Sequence, residues 1–146
     1  MTDPDVGWPA LTEGEVQLET DSDELLWRQV HPEFAPDGVL TSRGFRPGQH
    51  DDGCLSTVRS SVLTAAAAQA HHEAVGLKTA GTWAVTPAES AQAGTRAVDD
   101  STSPGLPTSA PPGHTYLDFR PLSKKGVKDA SVALLLAAVA RGRQHP

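Results

Sequence analysis

Between Arg28 and Ser61 the chain concentrates side chains able to hold or move charge: Arg28, His31, Ser42, Arg46, Asp51, Asp52, Ser56, Arg59, Ser60 and Ser61. An arginine is always charged and offers a planar fork of donors, so Arg28, Arg46 and Arg59 together suit a phosphate or a carboxylate. Arg28 stands out because it interrupts the largely apolar run Leu25-Leu26-Trp27-Arg28-Gln29-Val30. Each arginine taken singly also fits a plainer role, a strand residue paired with a neighbouring acid. His31 titrates near neutrality and can act as general acid or base, although the following Pro32 equally suits it to end a strand with a capping hydrogen bond. Ser42 and Ser56 can hydrogen-bond a ligand. Neither sits in a Gly-x-Ser-x-Gly elbow, which argues against a serine hydrolase.

Other chemistries have less to rest on. Cys54, beside Leu55, reads as a small buried hydrophobe with nothing to lower its thiol pKa. His71 and His72 are adjacent on an expected helix and point about 100° apart, so they cannot chelate one metal as an i, i+4 pair can. His50-Asp51-Asp52 is a polar turn, and no metal site is expected. Neither the Gly-x-Gly-x-x-Gly nor the P-loop pattern occurs. Lys124, Lys125 and Lys128 would place cations at a helix start, where the macrodipole disfavours them; the conflict marks either an anion contact or, the favoured reading, a helix that begins later.

The 146 residues carry a net charge of −6, unevenly spread: residues 1–27 hold eight acids and no Lys or Arg, whereas residues 120–146 hold six bases and one acid. The basic end can meet an anion, but six bases with few aromatics make a thin case for nucleic acid. The length suits one domain. One cysteine argues against a disulfide-stapled secreted protein and for a reducing, cytoplasmic setting. The start lacks the basic region and apolar run of a signal peptide. The longest nearly apolar run, residues 130–140, falls short of the roughly 20 residues a membrane-spanning helix needs.

Residues 1–22, acidic and broken by Pro4, Gly7, Pro9 and Gly14, read as a leader that is mobile or lies on the surface, with Trp8, Leu11, Val16 and Leu18 able to dock it. From residue 23 the pattern is that of one α+β domain. Strands are expected over 25–30, 39–45, 54–59, 80–85 and 116–119. Helices are expected over 65–75, behind Thr64 as N-cap, over 87–93, behind the Thr86-x-x-Glu89 capping box, and over 124–141. Residues 99–113, with four prolines, read as a long irregular connection or lid. Strands clustered early and helices late favour a mixed or antiparallel small sheet with helices on one side.

The motifs Leu26-Trp27-Arg28-Gln29-Val30-His31-Pro32, Ser42-x-x-Phe45-x-Pro47, Asp52-Gly53-x-Leu55-Ser56 and Arg59-Ser60-Ser61 resemble those of a group of short bacterial proteins of no assigned activity. A fainter resemblance is to ADP-ribosyltransferase-like enzymes, in which an Arg or His on an early strand holds the phosphates of NAD. It implies that role for Arg28, with Ser42 or Ser56 from a later strand, and a transferase acting on a nucleotide-like substrate. The departure is that Glu89 belongs to a capping box and not to a catalytic strand. The resulting expectation is an enzyme or binding domain for an anionic, nucleotide-like ligand, with Arg28 and His31 catalytic and Arg46, Ser42, Ser56 and Arg59 binding. The rival is an antitoxin, immunity or adaptor component that meets a protein partner through the acidic leader.

Overall fold

The computed structural model describes residues 7–146, so the first six residues of the leader lie outside it. Among the described residues six strands form one antiparallel sheet: β1 (Val16–Gln17), β2 (Leu26–Gln29), β3 (Cys54–Arg59), β4 (Thr82–Val85), β5 (Arg96–Asp99) and β6 (His114–Asp118). Their spatial order is β1-β5-β6-β3-β2-β4. With helices α1 (Ala65–Ala74), α2 (Pro87–Ala93) and α3 (Lys124–Arg141), the architecture is α+β.

Strand alternation sorts the side chains into two cores. Leu26, Leu55, Val85 and Leu117 share one cluster with Ala130, Leu134 and Ala138 of α3. Trp27, Val58 and Ala84 share the other with Ala68 of α1. The helices therefore cover both faces, not one. The registers Trp27↔Ala84 and Trp27↔Val58 bring three apolar side chains together on the back of the sheet, and that patch needs its own cover.

Local chemistry sets the helix ends. The Thr64 hydroxyl accepts the Ala67 N–H at 3.1 Å, and Thr86 and Glu89 form the reciprocal capping box that starts α2. Gly94 ends α2 at φ 95°, a conformation that costs glycine nothing. α3 does begin at Lys124, not later, because Ser123 Oγ caps the Gly126 N–H at 3.1 Å and Lys125 pairs with Asp129 one turn on. Glu89 also binds Arg141 at 2.9 Å, which ties the start of α2 to the end of α3.

Three segments depart from the sequence expectation. Residues 39–45 are not a strand. Ser42–Phe45 is a 3-10 turn that drops Phe45 into the main core, and a Cβ on Gly44 would stand 3.0 Å from Val30. β5 was not expected, yet β1 and β6 pair with it from either side, so Asp99 ends a strand instead of opening the loop.

The leader is the third. Val16↔Asp99 makes it an edge strand, Leu18 packs against the main core, and its other anchors are largely polar. The Arg96 guanidinium lies 4.9 Å over the Trp8 ring and donates to the Pro9 carbonyl at 2.7 Å, while Tyr116 Oη donates to Glu15 at 2.6 Å. Gly14, at φ 82°, lies so close to the 102–103 backbone that a Cβ would stand 2.6 Å from Ser103 Cα. Gly14→Ala is therefore expected to lift the leader, speeding amide hydrogen exchange in β1 and β5 at least tenfold and leaving β2 and β4 unchanged. Equal exchange in all four strands would show that the leader contributes nothing to that edge.

Candidate functional site

β2 and β3 are paired only at Leu26↔Arg59 and Trp27↔Val58. Beyond that point the strands part, and Arg28 occupies the opening. Its Nε donates to the Gly44 carbonyl at 2.9 Å and its Nη1 to the Ser56 carbonyl at 3.2 Å. No carboxylate lies within ion-pair distance of it among the described residues. Burial pulls its pKa down to about 10, and the charge on Asp51 offsets only part of that.

Arg28 lines a cavity of about 500 Å³ between α1, the diverging strands and the loop that follows β5. Small-molecule sites commonly occupy roughly 300–1,000 Å³. Trp27 and Val58 form its sheet wall, Val75 and Leu77 the turn that follows α1, and Leu106 and Pro111 the loop wall. The irregular segment thus roofs a cavity. His71 and His72 both face it, and burial holds His72 below its usual pKa while its Nε2 lies 3.2 Å from the Lys78 carbonyl. No group of three His, Cys, Asp or Glu able to hold a metal occurs among the described residues.

Of the residues expected from sequence, only Arg28 and Ser56 meet at this cavity. His31 is exposed, and its Nδ1 accepts the Glu33 N–H at 3.1 Å, the capping role that Pro32 suggested. Ser42 opens the 3-10 turn. Arg46 follows that turn with its Nε buried and without a hydrogen-bond partner among the described residues. Arg59 is held by Glu24 at 2.7 Å and Asp99 at 2.9 Å, a pair that ties β3 to the segment before β2 and, across β6, to the end of β5. Cys54 is half-buried, and burial pushes its thiol up to about 11, away from reactivity.

The residue that sequence reading missed is His114. It lines the cavity, its Nε2 lies 3.2 Å from Ser56 Oγ, and its Nδ1 lies 2.6 Å from Asp100 Oδ1. Both members of the His–Asp pair are largely sheltered, with side-chain exposures of 14% and 13%. A signal was present. Extending the period-two pattern of the last strand back from Tyr116 through Thr115 puts His114 on the face that Tyr116 occupies, where Val58 is its partner. Asp100 carried no such signal, since it lies just past the end of an unexpected strand.

As for known proteins, the chain matches no protein-family model, no curated protein and no solved structure.

Proposed function

We propose that the chain binds a small molecule with an apolar body and an anionic group, seated between α1, the parted strands and the loop, with Arg28 as its charge partner. One observation carries this reading: the guanidinium beside the cavity rests on two backbone carbonyls and no carboxylate. Arg59, Arg96, Arg120 and Arg141 each have an acidic partner. A cation partly withdrawn from water without a counterion is costly, and a ligand anion would offset that cost. The walls supply apolar contact, so bare phosphate would gain less than an aromatic or acyl anion. A nucleotide-like molecule is one member of this class.

The test uses two fluorescent probes of similar shape, 8-anilinonaphthalene-1-sulfonate, which is charged, and N-phenyl-1-naphthylamine, which is not. Arg28→Gln is expected to weaken the sulfonate about tenfold to a hundredfold, the worth of a charge-assisted hydrogen bond, and to leave the amine within twofold. Val75→Glu, an acid placed on the rim of α1, should also weaken the sulfonate selectively. Equal binding of the sulfonate by all three proteins would remove Arg28 from any ligand site.

A further inference from the structure

The geometry points to Ser56 as a nucleophile, with His114 as its base and Asp100 as the group that orients the base. Together they would hydrolyse a carboxylic ester whose acid or alcohol part is the amphipathic anion described above. The substrate class rests on that reading; the nucleophile does not. No elbow motif presents this serine. The parting of β2 and β3 exposes it instead, and the Arg28 Nη1 bond to its carbonyl fixes the strand where it stands.

The three groups come from three places in the chain: mid β3, the residue after β5 and the first residue of β6. Serine needs a base to accept its proton, and the base needs a partner to fix its tautomer. With Asp100 at 2.6 Å from Nδ1, the imidazole N–H points at the carboxylate, which leaves the Nε2 lone pair facing the Ser56 hydroxyl at 3.2 Å. The serine is exposed and the pair behind it is sheltered, the order a reactive hydroxyl requires. Ser56 and His114 both face the cavity that Arg28 lines, so an acyl group seated there meets the hydroxyl and a fixed positive charge together.

In the reaction, Ser56 Oγ bonds to the ester carbonyl carbon as its proton passes to His114 Nε2. Collapse of the tetrahedral adduct breaks the carbon–oxygen bond of the ester, and the departing alkoxide takes the proton from Nε2. Water from solvent then attacks the acyl-serine, giving one proton to Nε2. The second collapse returns that proton to Ser56 Oγ and releases the carboxylic acid, which ionises in solvent.

A fluorophosphonate probe reads this directly, since an activated serine forms the oxygen–phosphorus bond and expels fluoride. Incubation of the full chain followed by peptide mass spectrometry is expected to place the label on Ser56. Ser56→Ala should abolish the label, and His114→Gln should slow it at least about a hundredfold, the lower end of what a general base contributes. Asp100→Asn should slow it as well, and hydrolysis of p-nitrophenyl butyrate should fall in parallel. Ser56 is exposed, so loss of label in its variant cannot be blamed on misfolding; if His114→Gln does not fold, Asp100→Asn carries the same test. No label on the wild-type chain, label on another residue, or a rate indifferent to both His114→Gln and Asp100→Asn would each overturn the assignment. Sulfonate binding that depends on Arg28 without any label would sink the nucleophile alone. A labelled Ser56 without such binding would sink the anion reading alone.

Discussion

Asp118→Ala is expected to lower the unfolding free energy by about 3–5 kcal/mol, the cost of leaving a buried cation without its counterion. The Asp118 side chain is 0% exposed and Arg96 is 6% exposed. One carboxylate oxygen takes Arg96 Nε at 3.0 Å and Arg120 Nη2 at 2.8 Å; the other takes Arg120 Nε at 2.8 Å and the Arg120 amide at 3.1 Å. Removing the acid strands Arg96 against Trp8 and a single carbonyl, so the leader should loosen with it. Since domains of this size are stable by roughly 5–15 kcal/mol, the variant stands near the edge of folding. Urea denaturation measures the loss, and a midpoint within error of wild type would mean that water already reaches the pair. Arg96→Met/Asp118→Leu, which removes the two buried charges and leaves the one-third-exposed Arg120 to water, should regain part of the stability.

The same carboxylate sets the direction of the pH dependence. Burial alone would raise its pKa, but the hydrogen bonds from Arg120 and Arg96 outweigh burial and hold it below the ordinary value. A lowered folded-state pKa means that the unfolded chain binds the proton more tightly. The stabilisation is therefore complete above the unfolded value of about 3.9 and disappears as pH falls through the folded one. Glu15, Glu24 and Asp99 are lowered too, each by hydrogen bonds that overcome burial, and they act in the same sense. Wild-type stability should thus fall steeply below pH 4, and the gap between wild type and Asp118→Ala should narrow there.

Phe45→Ala should cost about 3–5 kcal/mol, as is usual for a buried aromatic whose neighbours cannot close the void. Phe45 is fully buried in the main core, on the 3-10 turn that packs against α3. That turn also carries the Gly44 carbonyl that holds Arg28 Nε. The variant is therefore expected to weaken sulfonate binding in its folded fraction. Leu134→Ala, in the same cluster but on α3 and without a link to Arg28, should cost about 2–5 kcal/mol and leave binding unchanged. Equal binding by both variants would show that the turn supports the core alone.

Features governed by neighbours in the chain were open to reading from the amino acids alone. A capping box, an alanine run behind Thr64, a glycine at a helix end and a run of β-prone residues are local arrangements, and α1, α2, α3, β3 and the α+β class followed from them. His31 shows the limit even there, because the sequence allowed both an acid–base role and a cap, and only the Glu33 amide 3.1 Å from its ring nitrogen favours the cap. Partners across the sheet decided the rest. β1 is only two residues long and β5 is bounded by Arg96 and Asp99, so neither declares itself; β5 exists through its pairing with β6 and β1 through its pairing with β5. Arg28 and Arg59 look alike in sequence, two arginines in strands; the fold gives one a pair of carboxylates and the other a cavity. The meeting of Ser56, Asp100 and His114 was invisible for the same reason, since residues up to 58 positions apart become neighbours only through strand register, which depends on which faces the whole sheet buries.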